Sequence, residues 1–128
     1  MDDENELAIC KDAEYLLKDL LMARVLELAE ISLSKHQRQV FDLIYLKDSS
    51  YANAAFILDC NPTGVSHAIL GIKQKNRNFY HGGLIKKMQK VCKLDNRCQI
   101  LISELEKLVN ADLIYPEALR ILREYEYE

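Results

Sequence analysis

Cap and turn residues divide the middle of this 128-residue chain into short helical segments, and this punctuation constrains the fold most strongly. Ser34 and Gln37 have the spacing of a capping box, and Leu33 is placed for a hydrophobic staple. After a polar turn, Ser50 is placed to cap a second helix over residues 51–58. The sequence therefore predicts two short helices with defined starting points in this region.

A third helix is expected after a tight turn at residues 59–61. Asn61 is a favourable N-cap and Pro62 a favourable first helical residue. Apolar residues at helical spacing predict that this helix continues from Thr63 to about Lys75. Gly71 weakens a helix by about 1 kcal/mol relative to Ala, so an early end or a bend at Gly71 is part of this expectation. Helices joined by short turns in this way are typical of a helix-turn-helix unit, whose last helix enters the major groove of DNA.

Further helices are expected on both sides of this unit. Residues 1–31 hold apolar side chains at helical spacing, with acidic residues toward the N-terminus, where they suit the helix dipole. The apolar stripe is too wide for a solvated helix, so it must pack against this domain, a second copy or another protein. Residues 98–128 are expected to form a helical hairpin that could oligomerise the chain, its last helix beginning at Pro116.

The fold class predicted from these segments is all-α. A helix-turn-helix core over residues 32–97 would be flanked by the N-terminal and C-terminal helices. Within that core a short basic helix is expected over residues 84–93. Residues 76–83 are expected to form a polar turn, and no segment has the pattern of a β-strand.

Charge is segregated along the chain. Residues 1–31 carry a net charge of −6, residues 32–97 carry +7, and residues 98–128 carry −4. A basic centre between acidic ends is the pattern of a phosphate-binding face with flanks that face protein. Charged runs are often only solvated faces. Because this run follows a helix-turn-helix pattern, we favour the functional interpretation.

The motifs of the central stretch resemble region 4 of bacterial sigma factors and the sigma-like helix-turn-helix proteins related to it. The matching motifs are LSxxQRQV at 33–40, YL at 45–46, SY at 50–51, AAxIL at 54–58 and GVS at 64–66. FYHGGLIKKM at 79–88 resembles a tail found in small sigma-like proteins of phages and mobile elements. The resemblance covers about half of the chain, and a sigma region 2 is absent from it.

The resemblance implies that the third helix contacts bases in promoter DNA, often while the domain touches RNA polymerase. Carried over by position, Thr63, Ser66 and His67 would face base edges. The residues implied or expected near phosphates are Ser50, Tyr51, Lys73, Lys75, Arg77, Lys86 and Lys87. The family usually places Arg or Lys on the outer face of the third helix. Here that face is expected to offer Ser66, His67, Ala68 and Leu70, so strong bidentate recognition of guanine is not available.

Three functions are consistent with this pattern. The first is a DNA-binding transcriptional regulator that binds double-stranded DNA as a homo-oligomer, with a dimer favoured because such proteins need two half-sites. The second is an adaptor that binds RNA polymerase or a sigma factor through protein contacts. The third is a small DNA-packaging subunit, similar to a terminase subunit, that assembles through the C-terminal hairpin.

An enzyme, a metal site and a cofactor are not expected. His36, His67 and His81 lie on three different segments, and Gly82-Gly83 lacks the surroundings of a phosphate-binding loop. The four cysteines show no CxxC spacing and are expected to stay reduced. An acidic N-terminus is unlike a secretory signal, and no apolar run approaches the roughly 18 residues of a membrane span. The expected location is the cytoplasm, or the host cytoplasm if the chain is phage-encoded.

Overall fold

The computed structural model describes residues 3–73, 80–111 and 114–125, and of residues 3, 73, 80 and 81 it describes the backbone alone. The architecture is all-α, as predicted, apart from one two-stranded hairpin. The elements are α1 (Asp3–Ser32), α2 (Lys35–Phe41), α3 (Tyr51–Ile57), α4 (Pro62–Leu70), β1 (Gly71–Lys73), β2 (Tyr80–Gly82), α5 (Leu84–Leu94), α6 (Asn96–Asn110) and α7 (Ile114–Tyr125). After Phe41 the chain continues into a π-helical turn, Asp42–Leu46.

The chain divides into two compact units. We call residues 27–92 the central unit; the terminal unit combines residues 1–26 with residues 93–128. The central unit carries nine basic and five acidic side chains, a net charge of +4, whereas the terminal unit carries a net charge of −7. None of the described helices combines the length and the apolar composition that a membrane span requires.

The third predicted helix ends earlier than its apolar pattern indicates. The prediction that it continues to about Lys75 is wrong, and so is the expectation that no segment forms a strand. Gly71 follows the last residue of α4 with φ 89°, a backbone conformation that side chains disfavour, so the helix stops at the residue where the weak point was expected. Ile72, whose spacing continues the apolar pattern of α4, is exposed on β1.

The two strands form an antiparallel hairpin. Gly71 pairs with Gly82, Ile72 with His81, and Lys73 with Tyr80. β1 therefore replaces the expected end of the third helix, and β2 lies within residues 76–83, which were expected to form a polar turn. The residues that connect its strands, 74–79, lie outside the described part of the chain.

The core of the central unit is built from short helices. Its buried apolar side chains come from α1, α2, the π-helical turn and α3 to α5, and include Leu28, Ala29, Leu33, Val40, Phe41, Leu43, Ala54, Ala55, Val65, Ala68, Ile69, Leu84 and Met88. Ala54 and Ala55 of α3 are buried where α3 packs on α4. Small side chains at that crossing allow the two backbones to approach closely.

In the terminal unit, α1 packs against α6 and α7. Ala13 and Leu17 of α1 form one buried cluster with Leu101 and Leu108 of α6 and with Ile121 of α7. The sequence left open what the wide apolar stripe of α1 packs against. In the structure, helices of the same chain contact it.

Charged pairs accompany this packing. Arg24 donates two hydrogen bonds to the carboxylate of Asp95, from Nη2 at 2.7 Å and from Nε at 3.1 Å. These bonds hold the pKa of Asp95 well below its ordinary range. The guanidinium of Arg120 bonds to Glu104 and Glu117, which raises the pKa of Arg120. Glu104 is the buried member of that group, so the pairing with Arg120 compensates a charge withdrawn from water.

Candidate nucleic-acid interface

Side-chain caps fix where α3 and α4 begin. The Ser50 hydroxyl accepts a hydrogen bond from the Asn53 amide at 3.1 Å, and Asn61 Oδ1 accepts one from the Gly64 amide at 2.8 Å. Pro62 occupies the first turn of α4. Both predicted caps are confirmed, and α3 and α4 are separated by only four residues.

The connection between α3 and α4 is a closed turn. The Cys60 amide donates to the Ala55 carbonyl at 2.9 Å, which satisfies a carbonyl at the end of α3. Asp59 adopts φ 54°, in the left-handed region that Asp tolerates better than most residues. The chain therefore reverses over a short, hydrogen-bonded turn and presents α4 at a fixed angle to α3.

The solvent face of α4 is partly polar and carries no lysine, arginine or carboxylate. Thr63 and His67 are exposed, Ser66 is half-buried, and Leu70 is exposed at the end of the helix. Ala68, expected on this face, is instead buried against the core. Thr63 and His67 thus share the outer surface of α4, whereas Ser66 lies at its border.

Two further predicted contact residues lie at the start of α3. Ser50 is exposed, and its hydroxyl keeps a proton to donate even while it accepts the capping bond. Tyr51 is exposed at the first helical position. Both residues belong to the central unit, as do those of α4.

The predicted basic segment begins at the last residue of β1. Lys73 is the last residue of β1, and the structure describes its backbone only. Lys75 and Arg77 lie outside the described residues. The structure therefore describes the two strands of the hairpin but not the side chains of these three residues.

Gln37 and Gly83 hold the hairpin against the helices, and sequence reasoning assigned neither of them this role. Gln37 Nε2 donates to the Gly82 carbonyl at 2.8 Å, and Gln37 Oε1 accepts from the Nζ of Lys87 at 3.0 Å. Gly83 is buried, and a Cβ at this position would meet the backbone of Ile69, Leu70 and Gly71. The adjacent glycines at 82–83 and the capping box were the sequence features that could have pointed to this junction.

The helix that follows the hairpin carries the other basic residues. Lys86, Lys87 and Lys90 are exposed on α5, and α5 contains no acidic residue. Lys87 keeps donors for another acceptor, because an ammonium group has three and only one is used by Gln37. No group of three or more His, Cys, Asp or Glu side chains within the described ranges is arranged to hold a metal ion.

Comparison of the chain with protein-family models, with curated proteins and with solved structures found no match.

Proposed function

We propose that the protein is a DNA-binding transcriptional regulator whose α3, turn and α4 act as a helix-turn-helix similar to region 4 of sigma factors. The observation that carries this proposal is the capped α3–α4 pair in a unit of net positive charge, with Thr63 and His67 exposed on α4. A helix of nine residues is about 14 Å long, and the major groove is wide enough to admit it.

Affinity and specificity have different sources in this proposal. Lys73, Lys75 and Arg77, with Lys86 and Lys87, supply phosphate contacts. Ser50 and Tyr51 hydrogen-bond to the sugar–phosphate backbone of the DNA and fix the register of the protein on the duplex. Thr63, Ser66 and His67 contact base edges. Because α4 presents no arginine, each base contact is weaker than a bidentate arginine–guanine pair and sequence preference is modest.

Dimerisation is part of the proposal. Helix-turn-helix proteins commonly bind two half-sites about one helical turn apart, which requires two copies of the reading helix. Ile100, Val109 and Ile114 are exposed apolar residues of α6 and α7 in the terminal unit. They are suited to a contact between two copies.

The test measures binding of the full chain to random duplex DNA by fluorescence anisotropy over a range of salt concentrations. We expect affinity to fall steeply with salt, because phosphate contacts release counterions. Replacing Lys73, Lys75 and Arg77 together with Ala should reduce the slope of log K against log salt by up to about 2.7, at about 0.9 for each phosphate that is no longer neutralised. Unchanged affinity and slope in this triple variant would contradict the assignment of the basic segment.

A matched variant separates base contacts from phosphate contacts. His67→Ala removes an exposed side chain of α4 and leaves the basic segment intact. We expect it to change the sequence selected from a random pool while the salt slope stays the same. A changed slope with an unchanged selected sequence would place His67 on the phosphate side.

A second candidate is an adaptor that binds RNA polymerase or a sigma factor. It is favoured by the outer face of α4, which carries no cation, and by Phe56 of α3, which is 87% exposed. A pull-down against core polymerase at low salt tests it, and no retention would contradict it. Absence of DNA binding together with retention on polymerase would favour the adaptor.

A further inference from the structure

Leu70 is an exposed apolar residue on the outer surface of α4, and it has no part in the contacts proposed above. At about 100° of rotation per residue, Thr63, His67 and Leu70 lie within about 60° of one another around the helix. Leu70 is 42% exposed, whereas Val65 and Ile69 are buried on the opposite side of α4. Leu70 therefore belongs to the surface that faces DNA in the proposed function, and not to the core.

The backbone around Leu70 is held in place. Gly71 follows with φ 89° and ends the helix, and Gly83 packs directly against the backbone of Leu70. Side chains of a helix lean toward its N-terminus, so we expect the leucine side chain over the turn that contains Ser66 and His67. An apolar group is thus presented from a fixed backbone, next to groups that form hydrogen bonds.

The composition of α4 leaves one contact by which this helix can distinguish bases. Arginine or lysine pairs with guanine, asparagine or glutamine with adenine, and a carboxylate with cytosine. The sequence of α4, PTGVSHAIL, contains none of these residue types. The hydroxyl groups of Thr63 and Ser66 and the imidazole of His67 can each donate and accept, so they fit more than one base edge. What remains is apolar contact with the C5-methyl group of thymine, for which Leu70 and the methyl group of Thr63 are suited.

We propose that α4 recognises thymine by its C5-methyl group, with Leu70 as the main contact and Thr63 as the second. This inference rests on the proposed function and names the bases that the same site selects. Contact between the methyl group and Leu70 removes apolar surface of both from water. Thr63 and Leu70 are about 10 Å apart along the helix axis, which corresponds to about three base steps of roughly 3.4 Å. The preferred site should therefore hold thymine within a run of three or four base pairs.

Uracil tests the methyl group alone, because it has the hydrogen-bonding groups of thymine and lacks only the C5-methyl group. The full chain first selects a preferred site from a random duplex pool, and that site is then prepared with thymine or with uracil. By fluorescence anisotropy we expect affinity to fall about fourfold for each contacted methyl group removed, which is the effect of burying one carbon atom. A selected site without thymine, or equal affinity for the two duplexes, would overturn the proposal.

Leu70→Ala tests whether this side chain makes the contact. Leu70 is exposed and alanine favours a helix, so the variant should fold as the parent does by circular dichroism. We expect it to lose most of the preference for thymine over uracil, with a salt slope equal to that of the parent because no phosphate contact is removed. Leu94→Ala is the matched control, since Leu94 is also exposed and is the last residue of α5. It should keep the preference of the parent.

Preference for thymine that survives Leu70→Ala, or that is lost equally in Leu94→Ala, would overturn the assignment of Leu70. A change in duplex stiffness caused by uracil is covered by the same comparison, because it would affect the parent and Leu70→Ala alike. Thr63→Ser is a second variant, which removes one methyl group and keeps the hydroxyl. We expect it to reduce the preference for thymine by about fourfold, again the effect of one carbon atom. An unchanged preference in Thr63→Ser would remove Thr63 from the contact.

Failure of this inference is distinguishable from failure of the proposed function. A chain that binds the thymine and uracil duplexes equally, with affinity that falls steeply with salt, still binds DNA through phosphates. Only the recognition of thymine would then be wrong. No binding of either duplex at low salt would overturn the proposed function and the recognition of thymine together.

Discussion

Gly83 lies where the hairpin returns against the end of α4, and its missing side chain allows the two backbones to meet. A Cβ built on Gly83 would lie 2.5 Å from the amide nitrogen of Gly71 and 2.6 Å from the carbonyl oxygen of Ile69. Backbone atoms cannot rotate away as a flexible side chain can. We therefore expect Gly83→Ala to lower the free energy of unfolding by roughly 1–3 kcal/mol, measured by urea denaturation.

Gly64 provides the matched control for this substitution. It lies on α4, and the nearest atoms to an added Cβ are 3.6 Å and 3.7 Å away, which is ordinary van der Waals contact. Alanine is favoured over glycine inside a helix by about 1 kcal/mol. Gly64→Ala should therefore leave stability unchanged or raise it. A loss of stability of similar size in both variants would contradict the close approach at Gly83.

Asp95 supports a prediction about pH. Its carboxylate is paired with Arg24 and also accepts a hydrogen bond from the Cys98 amide at 3.0 Å, which caps α6. Because the pKa of Asp95 is lowered in the folded chain, the stabilisation is complete above the ordinary aspartate pKa of about 3.9 and declines as pH falls through the folded value. Asp95→Asn keeps an N-cap acceptor but loses the ion pair. We expect this variant to be less stable than the parent at neutral pH.

The same variant should approach the parent in stability below about pH 4, where the parent loses what the pair contributed. Urea denaturation of both chains at a series of pH values measures the difference. Asp95→Ala removes the pair and the cap together, so it should remain less stable than Asp95→Asn at every pH. A parent advantage over Asp95→Asn that stays constant as pH falls below about 4 would contradict the role of the ion pair.

These residues also mark the limit of what sequence could predict at this scale. The caps at Ser34, Ser50 and Asn61 were predictable, because each donor and acceptor lie three positions apart. The pair of Arg24 and Asp95 joins residues 71 positions apart, so no local spacing indicates it. The same holds for the close approach between Gly83 and the end of α4.

At the scale of elements, the hairpin is the part of the central unit that the sequence did not predict. Ile72 continues the helical spacing of Val65 and Ile69, so its pattern alone favours a longer helix. The backbone conformation of Gly71 ends α4 first, and the strand that follows is only three residues long. A strand so short carries no alternation that could be distinguished from a loop.

Gln37 supports a prediction about how firmly the hairpin is held. Gln37→Glu keeps the side-chain acceptor for the Ser34 amide and for Lys87, but it removes the donor to the Gly82 carbonyl. One hydrogen bond contributes about 1 kcal/mol, so we expect the amides of β1 and β2 to exchange about fivefold faster with solvent. Hydrogen exchange measured by mass spectrometry or NMR reports this change.

Gln39 provides the control on the same helix. It is exposed on α2, so Gln39→Glu makes the same chemical change away from the hairpin. Exchange in β1 and β2 should then match the parent chain. Exchange in α6, in the terminal unit, should be unaffected by either variant. Equal acceleration in both variants would mean that charge on α2, rather than the missing hydrogen bond, controls the hairpin.

For the whole molecule, the sequence located charge along the chain but not the partners of its first helix. The apolar stripe of α1 fits several partners equally well, and the helices that cover it, α6 and α7, begin 64 and 82 residues after the end of α1 (96 − 32 and 114 − 32). Apolar periodicity predicts that one face of a helix is buried, but it does not identify the element that covers this face. The charge blocks, by contrast, could be read directly, because formal charge does not depend on tertiary structure.

The opposite charges of the two units lead to the last prediction, which separates local charge from net charge. The whole chain carries a net charge of −3, which by itself opposes binding to a polyanion.

If DNA binding depends on a face of the central unit, Lys86→Gln with Lys87→Gln should weaken it and reduce the salt slope by up to about 1.8. Lys11→Gln with Lys18→Gln makes the same change in net charge within the terminal unit, where both lysines are exposed on α1. The salt slope counts the phosphates that are neutralised by contact, so a variant that removes no contact residue should bind with the slope of the parent. Fluorescence anisotropy with one random duplex, titrated against salt for all three chains, makes the comparison. Equal weakening in both variants would mean that net charge governs binding, and the assignment of Lys86 and Lys87 to the phosphates would then be wrong.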